Sequence, residues 1–554
     1  MATDRQSKKK ETNFVVQGGI LAAASILVRI IGIAYRVPMV NIIGDEGMGY
    51  YGTAYNVYNI ALLLSSYSLP LAVSKMVATR LAGRQYVNSV RILRAALCYA
   101  TLVGGIAAAV IWFGADFFAS EVFYMPYAAF ALRTLAPTVW IMAYLGVFRG
   151  YYQGQGTMIP TACSQVFEQI VNAIVSIAAG SFLFNQALRV ELLRGEEGSG
   201  YSNSWGAAGG TIGTGAGAFA ALFFLLLLFL LYRKNIRKQV KRDRTGEPES
   251  YAKIGRILFF TVVPVILSTA VYNLNNVLDN GILAANFAAT GRSDEFASVW
   301  GIYTGKYQLL INVPMAVSNA LSSSLIPSVS RAVAAGDKRL VKSRVAMAVR
   351  MALLVSIPSA VGLTVLAGPV TNLLFSGDNA LGIQMTLYGS LVVVFYSVST
   401  VTNAVLQGIN KMRVPIFHAA TSLVLHLVVL EILFWVFHMG IFSMVYANMS
   451  FAVIMCLLNH HSICRALRYK QEIFRSMVLP LAASAVMGAA AFGVYQGLFA
   501  LTSSNAASAL VAIFAAVCVY GVLLIKLGCL TREELRSMPG GTKLTPILSK
   551  LRLL

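Results

Sequence analysis

Long runs of apolar residues, interrupted by short polar breaks, occupy most of the chain. A helix needs about 20 mostly apolar residues to cross the hydrocarbon core of a bilayer. Runs of this kind predict fourteen spans, at approximately residues 13–37, 50–74, 92–118, 126–148, 158–185, 207–232, 256–285, 297–325, 344–372, 380–408, 414–437, 440–462, 475–500 and 507–528. The pattern therefore predicts an all-α integral membrane protein.

The basic residues alternate between the connections. When the lysines at 8–10 are placed in the cytoplasm, every second connection is rich in Lys and Arg, and the intervening ones are nearly free of them. Basic loops stay on the cytoplasmic side of a membrane. We therefore expect both termini in the cytoplasm, since an odd number of spans would break the alternation. The basic segments are 75–91, 149, 233–244, 331–342, 411–413, 465–475 and 532–550.

The composition agrees with a membrane protein. Of 554 residues, 57% are hydrophobic and 12% are charged, and the mean hydropathy is +0.69, whereas ordinary soluble proteins carry about 25% charged residues. The net charge of +22 follows from topology rather than from nucleic-acid binding. The basic stretch 233–256 also leaves binding of anionic lipid open. The six cysteines form no CxxC pair, so we expect neither disulfides nor a zinc site.

Two sequence elements occur twice. The first element occurs at the end of the second span, as SLPLAVSKMVATRLAG (68–83), and at the end of the eighth, as SLIPSVSRAVAAG (324–336). The second element joins two spans in each half, as RGYYQGQGTMIPT (149–161) and as LQGINKMRVP (406–415). Six spans per copy leave both halves in the same orientation, which predicts a parallel repeat with a substrate site between its halves. We interpret the second element as a cytoplasmic hairpin whose glycines permit tight turns.

The repeat also predicts how the chain is divided. The expected parts are a six-helix half, a basic cytoplasmic linker, a second six-helix half, an extra helix pair and a cytoplasmic tail. Their predicted bounds are 1–233, 234–255, 256–470, 471–530 and 531–554.

Charged side chains inside predicted spans are the first candidate functional residues, because each costs roughly 2.5–3.5 kcal/mol on insertion scales. Arg29 and Arg36 are seven residues apart in the first span and share a helical face. Lys306 lies in the eighth span. A surplus of Arg and Lys suits an anion such as a diphosphate, whose oxygens guanidinium binds bidentately. The alternative is structural pairing between helices, or snorkelling of Arg36 toward a helix end.

Neutral and acidic polar residues extend this set. One face of the fifth predicted helix carries Thr161, Gln165, Glu168, Asn172 and Ser176. Tyr50 and Tyr51, at the start of the second span, are interpreted as interfacial anchors. The candidate substrate-binding residues are Arg29, Arg36, Asn56, Asn59, Arg133, Gln165, Glu168, Asn172, Asn276, Asp279 and Lys306.

The chain contains no recognisable catalytic motif. The glycine-rich GGTIGTGAGA (209–218) lacks the GK[ST] ending of a phosphate loop and lies inside a span, where glycines favour close helix packing. No histidines have metal-ligand spacing with acids. We therefore expect no enzyme activity and no cofactor, and leave Na⁺ or H⁺ coupling open. A membrane-embedded glycosyltransferase would need acids on a sizeable loop, and loop 186–206 offers only Glu191, Glu196 and Glu197.

Two segments, FRGYYQGQGTMIPTACSQVFEQ (148–169) and LIPSVSRAVAAGD (325–337), carry a family resemblance. Together with the span pattern, they resemble the stage V sporulation protein B (SpoVB)/YtgP group of the MOP superfamily, which is related to the lipid II flippase MurJ. The resemblance implies two six-helix halves in a MATE-like parallel repeat plus a C-terminal helix pair. It also implies a bacterial cytoplasmic membrane protein with roles in peptidoglycan biosynthesis or sporulation.

The implied activity is that of a flippase. It would translocate an undecaprenyl-diphosphate-linked precursor, lipid II or a related lipid-linked oligosaccharide, by alternating access, with membrane lipids and cell-wall synthesis enzymes as further partners. By resemblance, Arg29, Arg36 and Lys306 line a cationic cavity, and the last two spans form a groove for the polyprenyl tail. The arginine of the family's second span has no counterpart in LLLSSYSLP (62–70). The alternative is a MATE-type Na⁺/H⁺-coupled drug antiporter, which would use an isolated carboxylate.

Overall fold

The computed structural model describes residues 2–196, 198–241, 243, 248–468 and 471–529. Within these residues the chain is helical and contains no β-strand, which confirms the predicted all-α class. The predicted tail, 531–554, lies outside them. The helices are α1 (Ala2–Ser65), α2 (Leu69–Ala82), α3 (Tyr86–Tyr99), α4 (Gly105–Phe117), α5 (Ala128–Gly154), α6 (Ile159–Arg194), α7 (Tyr201–Lys241), α8 (Tyr251–Ala289), α9 (Ser293–Gly301), α10 (Gln308–Ala334), α11 (Lys338–Val365), α12 (Ala367–Leu374), α13 (Ala380–Gly389), α14 (Val392–Gly408), α15 (Arg413–Trp435), α16 (Phe442–Leu467), α17 (Leu479–Thr502) and α18 (Asn505–Lys526).

The described helices include enough long apolar segments for a multi-pass membrane protein. Eleven are long and apolar enough to cross a membrane, and the number is twelve when α13 and α14, which meet at a bend of 52°, are taken as one span. Each predicted span falls on one or more helices. Several spans include π-helical turns continuous with their neighbours, at Ala100–Gly104, Phe118–Val122, Ile302–Tyr307 and Phe474–Val478. The orientation in the membrane stays a prediction.

The first two predicted spans are joined without a loop. α1 covers the first span and continues to Ser65 in the second, and its helical geometry is interrupted at Gly44, whose φ of 71° lies in the left-handed region that glycine tolerates best. The amide nitrogen of Asn203, on α7, donates to the carbonyl oxygen of Ile43 at 3.1 Å. Asn203 thus donates a hydrogen bond to a backbone carbonyl group next to the break.

The repeated hairpin differs from the predicted one. α5 continues to Gly154, so Arg149 to Gly154 are helical, and the turn occupies residues 155–158. Gly156, with φ 84°, provides the turn. Gly150 and Gly154 instead permit close packing, because a Cβ there would lie 2.8 Å from the Pro70 carbonyl oxygen and 2.7 Å from Val77 Cβ. The assignment of all these glycines to turns was therefore wrong.

The chain forms two compact units, Met1–Gly305 and Lys306–Leu554. The first includes α8 and α9. α9 packs very closely on α1, since a Cβ on Gly301 would overlap the carbonyl oxygen of Asp45 and one on Gly49 would overlap that of Ala297. The predicted six-helix halves follow the sequence repeat, whereas these two units are defined by their compactness. The halves therefore stay a prediction.

In the second unit, α11 packs against α17 and α18 through an apolar cluster that includes Leu354, Met487 and Tyr520. Two arginines cap the carboxyl end of α18. Arg350 donates to the carbonyl oxygen of Cys529, and Arg475 donates through Nε and Nη2 to that of Gly528, each at 3.2 Å. Positive charge at a helix C-terminus is favourable. The Arg350 contact ties the extra helix pair to α11, and the Arg475 contact joins the two ends of the pair.

Candidate functional site

The polar stripe predicted on the fifth span faces the interior of the first unit. Thr161, Asn172 and Ser176 are buried and Glu168 is half-buried, whereas Phe167 and Ile174 on the opposite side are exposed. The 3.6-residue period of α6 therefore separates a polar inner face from an apolar outer face, as the sequence predicts.

Glu168 forms an ion pair that the sequence pattern does not predict. Nη2 of Arg149 lies 2.6 Å from Oε2 of Glu168, and Nε of the same arginine donates to Oγ of Ser164 at 3.0 Å. Both charged side chains are largely buried, with 11% and 21% of their surface exposed. Because α5 continues past the predicted end of its span, Arg149 points at α6 instead of lying in a loop. Glu168 is thus already paired with a cation.

Asn172 and Ser176 connect three helices. Oγ of Ser176 lies 2.8 Å from Oδ1 of Asn172 and 2.8 Å from the carbonyl oxygen of Gly210 on α7. The hydroxyl of Thr214, also on α7, is 3.5 Å from the same Asn172 oxygen and hydrogen-bonds with the hydroxyl of Tyr55 on α1. The stripe on α6 is therefore continuous with polar groups on α1 and α7.

Tyr35, Tyr51 and Tyr55 form what we call the tyrosine cluster. The hydroxyls of Tyr35 and Tyr51 are 3.2 Å apart, and the ring centroids of Tyr51 and Tyr55 are 4.6 Å apart. Tyr51 is only 2% exposed and Tyr50 only 4%. Their assignment as interfacial anchors was therefore wrong, because burial inside the bundle removes them from the membrane surface.

Arg36 lies beside the tyrosine cluster. Its guanidinium interacts electrostatically with the phenol groups of Tyr35, Tyr51 and Tyr55. Within the described residues it forms no ion pair with a carboxylate. Phenol hydroxyls and a guanidinium can all donate hydrogen bonds. This part of the first unit therefore presents donors and a positive charge.

The remaining amides and Asp279 lie where α8 meets α1. Nδ2 of Asn56 is 3.5 Å from the carbonyl oxygen of Asn276, at the limit of a hydrogen bond. Asp279 is fully buried and accepts from Nδ2 of Asn275 at 3.0 Å. Asn280, which is not among the predicted site residues, donates to Oγ1 of Thr53 at 3.0 Å. The Asn56 and Asn280 contacts connect α1 and α8 through neutral groups, whereas the Asn275–Asp279 bond lies within α8.

The other predicted cations have separate surroundings. Arg133 pairs with Asp116 of α4, and both side chains are substantially exposed, at 40% and 67%. In the second unit, Lys306 is buried in the π-helical turn Ile302–Tyr307, and its Nζ donates to the carbonyl oxygen of Asp378 at 3.2 Å. Arg29 and Asn59 lie on α1, with Arg29 exposed and Asn59 half-buried. Gln165, on the α6 stripe, is also half-buried. The roles of all these residues in substrate binding stay predictions.

A metal site would need several His, Cys, Asp or Glu side chains close together. In the part of the chain that the structure describes, no group of three such residues is found. Apart from the Arg149–Glu168 pair and Asp279, the site consists of the Arg36 guanidinium, phenols, hydroxyls and amides, a set that suits an anionic, hydroxylated ligand.

Solved structures with the same fold are membrane transporters. The inward closed form of the lipid II flippase MurJ aligns with 91% of this chain and 97% of its own, with TM-score 0.65 and 15% identity. An inward-facing multidrug resistance MATE family transporter of the MOP superfamily aligns with 81% of this chain and 99% of its own, with TM-score 0.62 and 15% identity. The chain therefore shares the fold of these two transporters.

Sequence comparison defines the family more closely. A family model described as "Polysaccharide biosynthesis protein" matches residues 15–333, more than half of the chain, and the MatE model matches residues 302–432. The chain belongs to the polysaccharide biosynthesis protein family.

Its curated relatives include two proteins of Bacillus subtilis (strain 168). Stage V sporulation protein B is 25% identical over 94% of this chain and 96% of its own length. The lipid II flippase MurJ is 25% identical over 74% of this chain and 75% of its own. The predicted resemblance to SpoVB- and MurJ-like members of the MOP superfamily is confirmed.

Proposed function

We propose that this protein is a flippase that moves an undecaprenyl-diphosphate-linked cell-wall precursor, lipid II or a related lipid-linked oligosaccharide, across the bacterial cytoplasmic membrane by alternating access. Its similarity to a lipid II flippase and to stage V sporulation protein B supports this proposal at the level of the class. The chemistry of the first unit supports it at the level of the ligand.

One observation carries the proposal: Arg36 lies among phenol groups, while Glu168, a carboxylate of the α6 stripe, is already paired with Arg149. A guanidinium without an opposing carboxylate attracts an anion and can hold two phosphate oxygens at once. The hydroxyls and amides of the tyrosine cluster and the α6 stripe can accept and donate hydrogen bonds to sugar hydroxyls. A diphosphate joined to a saccharide matches both properties.

A MATE-type Na⁺/H⁺-coupled drug antiporter is the second candidate, since transporters of that class share the fold. Such a protein needs a carboxylate that can take up the cation. Glu168 is a poor candidate, because its Oε2 lies 2.6 Å from the guanidinium of Arg149. The charge of the tyrosine-lined region is also wrong for an organic cation.

The test is rescue of a bacterium depleted of its own lipid II flippase. The full chain and its Arg36→Ala and Arg36→Lys variants are expressed, their amounts in the membrane are matched, and externally accessible lipid II is measured. We expect the wild type to restore export and R36A to reduce it at least about tenfold, because a hydrogen bond to a charged group contributes about 1.5–3 kcal/mol. R36K should retain more activity than R36A.

The matched control is Arg292→Ala, which also removes one arginine but breaks an exposed ion pair, that with Glu295. It should leave export unchanged. Equal losses in R36A and R292A would contradict a specific role for Arg36. A well-expressed wild type that exports no lipid II but extrudes an organic cation in a Na⁺- or H⁺-dependent way would replace the flippase proposal with the antiporter.

A further inference from the structure

A basic groove lies between α3 and the end of α7, on the side of the first unit predicted to be cytoplasmic. It has a volume of about 720 Å³. Its rim carries five basic residues, Arg94, Arg233, Arg237, Lys238 and Lys241. Arg94 comes from α3 and the other four from α7, so two helices that are distant in sequence bring their charges to one place. Membrane topology requires only that basic residues be present, and does not require this convergence.

The floor of the groove is apolar. Leu93 and Phe148, which are buried, form it, and Leu97, Phe229 and Leu230 extend the apolar lining. The rings of Phe148 and Phe229 are in contact, with centroids 5.8 Å apart. Leu230 and the next residue, Leu231, are 58% and 68% exposed, and the basic stretch begins three residues after Leu230. The change from an exposed apolar surface to a charged rim is that expected where a helix leaves the hydrocarbon for the head-group region.

The two walls are held together at the end of α7. Oδ2 of Asp243 accepts from the backbone N–H of Val87, in the first turn of α3, at 2.7 Å. Glu249 binds Arg80 through both carboxylate oxygens at 3.0 and 3.1 Å. These acids are therefore engaged elsewhere. Within the described residues, none of the five rim cations takes part in an ion pair.

The lining identifies the kind of ligand. The groove-lining residues are either basic or apolar, and none is Ser, Thr, Asn, Gln, Tyr or His. A saccharide or peptide head group would find no hydroxyl or amide partners there. A phosphate carried on acyl chains would meet cations at the rim and hydrocarbon at the floor.

We propose that this groove binds an anionic glycerophospholipid of the leaflet on the predicted cytoplasmic side. The phosphate lies between Arg94 and the basic residues of α7, and the acyl chains lie against Leu97, Phe229 and Leu230. The proposal does not depend on the transported substrate, because it concerns a surface of α3 and α7 separate from the tyrosine cluster and the α6 stripe.

The test is native mass spectrometry of the purified full chain with phosphatidylglycerol and phosphatidylcholine. The groove variant is Arg94→Gln/Arg233→Gln/Arg237→Gln. The control variant, Arg331→Gln/Lys338→Gln/Arg339→Gln, removes three exposed charges from another basic connection on the same predicted side. We expect the wild type and the control to bind phosphatidylglycerol in preference to phosphatidylcholine. In the groove variant this preference should fall at least about tenfold, since each basic residue near an anionic surface contributes about 1 kcal/mol.

An unchanged preference in the groove variant would overturn the proposal, as would an equal loss in both variants, which would indicate an effect of net charge alone. Unfolding temperatures without added lipid check that the variants fold. If the triple variant does not fold, the same test uses the single Arg94→Gln variant, which changes an exposed side chain on α3. Its preference for phosphatidylglycerol should fall about fivefold. Displacement of the lipid by millimolar glycerol phosphate would instead assign the groove to free phosphate esters.

Discussion

The same helix crossing occurs in both compact units, and its two copies differ in charge. In the first unit α5 crosses α2, and a Cβ on Gly154 would lie 2.7 Å from Val77 Cβ. In the second unit α14 crosses α10, and a Cβ on Gly408 would lie 3.0 Å from Val329 Cβ. Gly154 and Gly408 are 254 residues apart. The repeated sequence element therefore preserves a packing contact.

The glycine pattern is richer in the first unit. Gly146, Gly150 and Gly154 follow one face of α5 toward α2, whereas the residues 254 positions later are Thr400, Ala404 and Gly408. Small residues four apart let membrane helices approach closely. The α2–α5 crossing is consequently the tighter of the two, and only its last glycine has been retained in the second unit.

The polar groups next to the crossing differ more. The ion pair of Arg149 and Glu168, with Ser164, corresponds at the same spacing to Asn403, Ser422 and His418. In the second unit, Nδ2 of Asn459 donates to Oδ1 of Asn403 at 2.7 Å, and Nδ1 of His418 donates to Oδ1 of Asn459 at 2.7 Å. One copy of the fold thus holds its hairpin with a charged pair and the other with neutral hydrogen bonds.

The largest effect should come from breaking the charged pair. Arg149→Ala leaves Glu168 largely buried without its cation, and we expect a loss of about 3 kcal/mol in the free energy of unfolding. Arg149→Ala/Glu168→Gln should be less destabilised than the sum of the two single variants, because the uncompensated charge is gone. Unfolding in detergent micelles measures each value.

The control for this prediction is Arg133→Ala, which breaks an exposed pair worth about 1 kcal/mol or less. If R149A were no more destabilising than R133A, the buried pair would have no special part in holding the hairpin.

The second effect concerns the crossings themselves. Gly154→Ala forces α5 and α2 apart, and we expect a cost of about 2 kcal/mol, whereas Gly408→Ala should cost about 1 kcal/mol because its neighbour is farther away. Gly493→Ala, in α17 with nothing within 4 Å of the added Cβ, serves as the control and should be neutral or slightly stabilising. The same unfolding measurement orders the three, and a G408A cost equal to that of G154A would remove the distinction between the units.

Hydrophobic periodicity was sufficient to predict the helices and the polar face of α6, because both features depend on local spacing. It was not sufficient to predict the position of Arg149. This residue follows an apolar run, so the sequence pattern places it in a loop. The continuation of α5 to Gly154 depends on its packing against α2, in which Gly150 and Gly154 contact residues 77 to 80 positions earlier in the sequence.

Two other features also depend on tertiary structure. Tyr51 has the position expected of an interfacial anchor, and only the arrangement of α1 and its neighbours buries it. Lys306 is a basic residue inside a predicted span, as expected of a cation that lines a cavity. Its ammonium group nevertheless donates a hydrogen bond to the carbonyl oxygen of Asp378, in the connection between α12 and α13. Single-sequence patterns give the chemical type of each residue but not its partner.

The smallest effect should come from the neutral network of the second unit. Asn403→Ala removes one acceptor from Asn459, whose Nδ2 also lies 3.1 Å from Oγ1 of Thr402. We expect a loss of about 1 kcal/mol, typical of one neutral hydrogen bond. The control is Asn185→Ala, whose amide bonds only within its own helix and is exposed. A loss from N403A as large as that from R149A would show that neutral hydrogen bonds hold the α14–α15 hairpin as firmly as the ion pair holds α5 and α6, because the loss would then follow the position of the contact rather than its charge.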